Sequence, residues 1–227
     1  MTIHIGYRFR HGTEEKSLDL SFQAKDMSLI PPHRERYPDW TDLRTEQCDH
    51  CPLLDTQAAL CPIAANLVDL LDICGELYSY NEIEVAVQTE NRTITATTQS
   101  QYAISSVIGL IMATSACPYT EFLRPLARFH LPFADELETH YRIFSSYMLA
   151  QFLRHGAGMP FSLNLDDLKK AYSMMEKVNI YIARRIRMAS RYDAGINAVV
   201  LLDLFAKSMP FVEENLQELR YYYKAYL

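Results

Sequence analysis

Hydrophobic and polar residues alternate along the first 22 positions of the chain. Ile5 and Tyr7 share one face, and the same alternation resumes at 18–22 after a polar turn. Alternation with a period of two is typical of strands with one buried face, so this segment predicts a β-hairpin. A second alternating pair, 83–87 and 94–98, predicts another hairpin. We expect one small antiparallel sheet that needs a cover, because an isolated hairpin is only marginally stable in water.

The remaining apolar positions recur at helical spacing. The predicted helices span 62–77, 102–115, 135–155, 166–190, 193–209 and 212–226. The combination predicts an α+β fold, in which a small antiparallel sheet of two hairpins packs against a mainly helical C-terminal bundle. We expect a single domain over 1–227, with the hairpins and a cysteine-rich segment in 1–100 and the helical bundle in 101–227.

Composition narrows the class of protein. The chain has 227 residues, of which 49% are hydrophobic and 22% charged, as expected of a folded domain. A formal net charge of -6 argues against non-specific binding to nucleic acid, which needs a basic surface. The N-terminus lacks the pattern of a signal peptide, and the apolar stretch 102–113 is too short to span a bilayer. We therefore expect a cytoplasmic protein that binds neither nucleic acid nor membrane.

Five cysteines divide into four plus one. Cys48 and Cys51 form a CxxC pair, and Cys61 and Cys117 each precede a proline. A proline in the first turn of a helix would place these two sulfurs near the positive end of the helix dipole, which favours the thiolate that binds metals. Cys74 falls on the apolar stripe of its helix, where core packing explains it.

Cys48, Cys51, Cys61 and Cys117 are thus the predicted ligands of one metal ion. Four sulfurs suit Zn²⁺, or alternatively a [4Fe-4S] cluster. Cys117 depends on the tertiary fold, so His50 and His130 are alternatives for the fourth ligand. The competing interpretation is that the cysteines are reduced, partly buried residues at helix ends without any metal.

A second candidate site combines arginines with a histidine. Arg124 and Arg128 are four residues apart and share a helix face, and His130 follows in an apolar turn. Guanidinium groups suit a carboxylate or phosphate, and histidine titrates near neutrality, so the three residues suggest a pocket for a small anionic ligand or acid–base chemistry. The alternative is a salt-bridge network that fixes the turn.

Two further features are an asparagine in apolar surroundings and a cluster of tyrosines in the last predicted helix. Asn179 lies among apolar neighbours, where it must either hold helices in register or line a cavity. Tyr221 and Tyr222 fall outside the apolar stripe of the last helix, so a homodimer or protein-partner contact and a solvated helix end are both open.

Catalytic motifs do not assign an activity. The sequence contains no glycine-rich phosphate loop, GxSxG or HExxH motif, so an enzymatic role would rest on His130. The leading hypothesis is a binding or regulatory protein with a structural zinc site. The alternatives are an iron–sulfur redox sensor and an enzyme that uses the pocket around His130.

The same segments carry a resemblance. The runs CPL at 51–53, CPIAANL at 61–67, ACP at 116–118, RPLARFHLPF at 124–133 and NAV at 197–199 are similar to those of an uncharacterised bacterial family of unknown function. The resemblance covers about residues 48 to 200 and implies no activity. It suggests that the cysteine segments and the Arg/His segment belong together as features of the same family.

Overall fold

Strands of the described residues form one five-stranded antiparallel sheet. A computed structural model describes residues 1–56 and 58–227, apart from the side chain of Asn215. The strands are β1 (Thr2–His11), β2 (Glu14–Gln23), β3 (Leu29–Ile30), β4 (Glu82–Gln88) and β5 (Thr93–Gln99), in the order β3-β2-β1-β4-β5. The two predicted hairpins are therefore joined edge to edge, because β1 pairs with β2 on one side and with β4 on the other. The short strand β3 was not predicted.

The alternating residues of the hairpins build one buried sheet face. Tyr7 lies opposite Leu18 in β2 and opposite Val87 in β4, and all three side chains are buried. The turn between β1 and β2 contains Gly12 at φ +61°, a left-handed conformation that glycine adopts without strain. The period-two pattern thus predicted both the strands and the face that packs against the helices.

The described residues form seven helices, of which six follow the predicted pattern with differences at their ends and one, the short third helix, is additional. Among the described residues they are α1 (Pro62–Cys74), α2 (Ser100–Thr114), α3 (Arg124–Arg128), α4 (Glu136–Gly156), α5 (Asp166–Ala189), α6 (Ala194–Ser208) and α7 (Val212–Leu219). The last predicted helix extended to 226, but α7 ends at Leu219 and a 3-10 turn covers Arg220–Tyr223. The tyrosines beyond Leu219 are largely exposed, so no apolar packing extends the helix. The fold is α+β, as predicted.

The core has a larger and a smaller part. Helices α1 and α2 pack on the buried sheet face, and α2 contacts α6 as well, so that α2 is buried on most sides. The smaller cluster contains Ile143 of α4, Tyr172 of α5 and Met209 after α6. Helix α4 begins with a capping box, in which Asp135 and Glu138 each accept the other's backbone N–H.

One helical stretch is apolar enough to resemble a membrane span. Ala194–Glu214 meets that criterion by length and hydropathy, and a third of its most apolar window is buried. Core helices pass the same test, and within this stretch α6 packs against both α2 and α5. The stretch is weak support for a membrane-spanning role.

Candidate functional site

The CxxC pair forms a tight turn in the connection between β3 and α1. The backbone N–H of Cys51 donates to the carbonyl of Cys48 at 2.9 Å, which folds the two cysteines onto one side of the loop. Cys48 is partly buried against the main core. Glu46, two residues earlier, has φ +48°, a conformation that is uncommon outside glycine and is frequent at functional sites.

A buried arginine anchors the loop that leads to this turn. Arg185 of α5 is 1% exposed and donates to the carbonyls of Trp40 at 2.7 Å, Asp42 at 2.8 Å and Leu43 at 3.0 Å. Its charge also lies near enough to Cys48 to favour the thiolate. Sequence reasoning missed this residue. Its helical spacing from Val178 and Ile182, on the apolar stripe of α5, is the signal that could have identified it.

Cys61 lies at the start of α1, as the following proline predicted. It is the N-cap residue, its N–H donates to the carbonyl of Thr41 at 2.8 Å, and Pro62 occupies the first helical position. One turn further, the Asn66 amide donates to the Pro62 carbonyl at 2.9 Å and to Ser115 Oγ at 3.2 Å. These bonds join the start of α1 to the end of α2.

Cys117 follows directly from the end of α2 and is tied to the CxxC turn. The hydroxyl of Tyr119 donates to the carbonyl of His50 at 2.6 Å, and the two ring centroids are 4.5 Å apart. Ala116 has φ +60°, the second uncommon backbone conformation beside a cysteine segment. The predicted helix after Pro118 begins only at Glu121, as a 3-10 turn, so Cys117 is not the cap of an α-helix.

The four thiols lie close enough for their charges to interact. The pKa of Cys48 is raised to about 12, chiefly by burial and to a smaller extent by the charges of Cys61, Cys51 and Cys117, whereas Arg185 opposes this shift. Burial likewise raises the pKa of Cys117 to about 11. The thiols of Cys48 and Cys117 are therefore protonated near neutral pH unless a cation binds them.

The four thiols are not arranged around a common point as the ligands of a bound metal ion would be. Among residues 1–56 and 58–227, no group of three or more His, Cys, Asp and Glu side chains is arranged to hold a metal ion. Zinc–sulfur bonds of about 2.3 Å would require the four side chains to move towards a common point. Cys74 stands apart from this group, because it is 3% exposed on the core face of α1, as predicted.

The two histidines considered as alternatives to Cys117 lie in different places. His50 belongs to the CxxC turn, and both of its ring nitrogens are buried without a hydrogen bond of normal geometry to the described residues. His130 instead contacts Tyr7 of the central strand, through a short hydrogen bond between Nε2 and the Tyr7 hydroxyl. Cys117, not His130, interacts with the other three cysteines.

His130 is held as a neutral hydrogen-bonding group. The Tyr7 hydroxyl that contacts it also lies 3.1 Å from Ser106 Oγ on α2. Burial, and to a smaller extent the charge of Arg142, lower the pKa of His130 to about 4. The expectation of a histidine that titrates near neutrality is therefore wrong, because this ring is desolvated beside a cation.

The three residues of the predicted Arg/His pocket do not converge. Arg124 donates to Glu121 at 2.8 Å, and Arg128 is exposed and lies over the ring of Phe129 at 5.5 Å. Neither arginine lines the cavity into which His130 faces. Helix α3 has only five residues, with Arg124 at its start and Arg128 at its end.

A cavity of about 580 Å³ lies where the larger and smaller core clusters meet. Its wall is mostly apolar and comes from α2, α4, α5, α6 and the segment around α3. The polar groups that interrupt this wall include Ser106, His130, Arg142 and Asn179. Sequence reasoning raised a cavity role for Asn179 but missed Arg142, which it considered only as a partner of Glu138.

Comparison with known proteins gives a family but no activity. The chain belongs to the family described as domain of unknown function (DUF6901), whose model matches residues 3–224. The match extends well beyond the 48–200 of the sequence resemblance and includes the first hairpin. No curated protein and no solved structure matches the chain.

Proposed function

We propose that this chain of the DUF6901 family is a cytoplasmic binding or regulatory protein with a structural zinc site at Cys48, Cys51, Cys61 and Cys117. The observation that supports the proposal is that Cys51, Cys61 and Cys117, from three separate segments, lie near enough to Cys48 to act on its pKa. The thiolates that bind a metal would repel one another at these positions without a cation. A divalent cation removes that repulsion.

The contacts around the cluster favour a structural role for the metal. The connection from Pro31 to Cys61 is irregular over most of its length, and Arg185 and the Asp42–Leu60 bridge hold its first part. The connection runs directly into the start of α1 at Cys61, and the Tyr119–His50 hydrogen bond joins its CxxC turn to the segment after α2. A metal bound by cysteines of all three segments would therefore fasten the connection to the helices, as structural zinc sites do.

The charge balance also suits four thiolates on Zn²⁺. Such a centre carries a net charge of -2, and the guanidinium of Arg185 lies close to Cys48. A nearby buried cation compensates part of this charge without displacing a ligand. The same donor set suits a [4Fe-4S] cluster, which would make the protein a redox sensor, and the two are separated by their spectra.

Cobalt substitution tests the thiolate site directly. The full chain is prepared without metal under anaerobic conditions and titrated with Co²⁺, which reports tetrahedral sulfur ligation by sulfur-to-metal absorption. We expect saturation at one equivalent, loss of the signal in Cys48→Ser and Cys117→Ser, and retention in Cys74→Ala. The absence of a sulfur-to-metal band in the wild type, or its persistence in both serine variants, would contradict the proposal.

A further inference from the structure

The cavity between the two core clusters has the size and chemistry of a ligand site. Its volume of about 580 Å³ falls within the range of roughly 300–1,000 Å³ typical of small-molecule pockets. One water molecule occupies about 30 Å³ in the liquid, so the cavity is far too large to be explained as the site of a single structural water. A mostly apolar wall with a few polar groups is the usual composition of such pockets.

Asn179 is the clearest sign that something binds there. It is 1% exposed and lines the cavity, yet neither its amide nitrogen nor its amide oxygen hydrogen-bonds to a described residue. A buried amide without partners is strongly destabilising, and a native structure rarely keeps one without a reason. The helical spacing places Tyr172, Met175 and Asn179 on one stripe of α5, and all three line the cavity.

Arg142 supplies a positive charge to the same cavity. Its guanidinium donates to the carbonyls of Leu126 at 2.9 Å and Phe129 at 3.0 Å and forms no ion pair with any described residue. It lies close enough to the buried Tyr172 for its charge to act on that phenol. The carboxylate of Glu138 acts on Arg142 electrostatically without an ion pair, and the hydrogen-bond partners of the guanidinium are neutral carbonyls. A partly desolvated cation with such partners favours an anionic ligand group.

The spacing along α5 separates two polar positions. Tyr172, beside Arg142, and Asn179 are seven residues apart, which corresponds to about 10 Å of helix. The wall between them includes Met175, Leu110 and Ala113. An apolar chain of that length, with one polar group at each end, satisfies both positions.

We propose that the cavity binds a medium-chain amphipathic carboxylate, with the carboxylate at Arg142 and a second hydrogen-bonding group at Asn179. The rim carries Asp135 and Glu136, which oppose the approach of an anion. Both are exposed, where salt screens their charge, whereas Arg142 is partly buried and screened less. Binding at the cavity does not depend on the metal, so either proposal stands or fails alone.

A series of three probes tests the two ends separately in the full chain. The probes are 10-hydroxydecanoate, decanoate and decan-1-ol, measured by titration calorimetry below their aggregation concentrations. We expect decanoate to bind at least about tenfold more tightly than decan-1-ol, because a charge-assisted hydrogen bond is worth more than a neutral one. The terminal hydroxyl of 10-hydroxydecanoate is expected to add a further factor of about five to ten.

Two variants assign each preference to its residue. Asn179→Leu removes the advantage of 10-hydroxydecanoate over decanoate and leaves decanoate binding nearly unchanged. Arg142→Gln removes the advantage of decanoate over decan-1-ol. Met175→Leu, on the same stripe of α5, keeps the ranking. Thermal unfolding verifies that each variant is folded.

The wild-type ranking decides the proposal even if a variant fails to fold. Equal affinity for decanoate and decan-1-ol would overturn the carboxylate assignment. Equal affinity for decanoate and its hydroxylated form, or no binding of any probe, would overturn the two-ended ligand.

Discussion

The hydroxyl of Tyr119 donates a 2.6 Å hydrogen bond to the backbone carbonyl of His50. This bond joins two segments that are far apart in the sequence: the turn after Cys117 and the CxxC turn. The side-chain rings pack as well, so the pair fixes both the distance and the orientation of the segments. The position of Cys117 relative to the CxxC turn is therefore fixed in part by Tyr119, which is not one of the proposed metal ligands.

Removal of this hydroxyl should loosen the cluster. Tyr119→Phe keeps the ring packing and leaves the His50 carbonyl without its donor, so we expect a loss of about 1 kcal/mol in the free energy of unfolding. The metal should also dissociate more readily. Urea unfolding measures the first effect and competition with a chelator the second. Tyr222→Phe is the control, because Tyr222 is exposed. Equal stability of the two variants would argue against the linking role of Tyr119.

Arg185 should be the most sensitive arginine of α5. Arg185→Met leaves three carbonyls of the 40–43 loop without donors, and we expect a loss of about 3 kcal/mol or more in the free energy of unfolding. Arg184→Met changes the adjacent exposed arginine, whose ion pair with Glu46 is at the surface, and should alter stability by less than about 1 kcal/mol. Chemical denaturation of the two variants gives the comparison. Similar losses would contradict the anchoring role.

His130 should make the protein sensitive to mild acid. Its pKa is about 4 in the folded chain against 6.5 ordinarily, so the unfolded chain takes up a proton that the folded chain excludes. The stability contributed by the neutral ring is present above pH 6.5 and is lost as pH falls towards 4, by at most about 3 kcal/mol. His130→Gln cannot titrate and should flatten the stability profile between pH 6.5 and 4. An unchanged slope in this variant would contradict the assignment.

The fold class could be predicted from the sequence because the local hydrophobic patterns agree with the tertiary packing. The alternation through Ile5 and Tyr7 is a property of the strand itself, and the face that it predicts is the face that the helices cover. The end of the last helix was predicted wrongly, because Tyr223 and Tyr226 continue the apolar spacing although Tyr226 is 85% exposed and meets the ring of Tyr223 rather than the core. Spacing alone does not show whether a partner surface exists.

The candidate sites were only partly predictable for a similar reason. The cysteines are rare and spaced distinctively, so their four-plus-one division follows from the sequence, although their geometry does not. The Arg/His pocket stays a prediction: Arg124 and Arg128 are close to His130 in sequence but do not line the cavity that His130 lines, because closeness in sequence does not place side chains in one cavity. The cavity takes Asn179 from α5 and Arg142 from α4, and only the packing of these helices brings the two residues to the same cavity.

The most direct test of the four-thiolate proposal is elemental analysis of anaerobically purified full-length protein, with its absorption spectrum. We predict one zinc per chain in colourless wild-type protein and in Cys74→Ala, and loss of zinc with a lower unfolding temperature in Cys48→Ser and Cys117→Ser. Iron content with visible absorption would instead indicate an iron–sulfur cluster bound by the same four cysteines. Metal-free wild-type protein whose unfolding temperature does not change on addition of zinc would contradict the account.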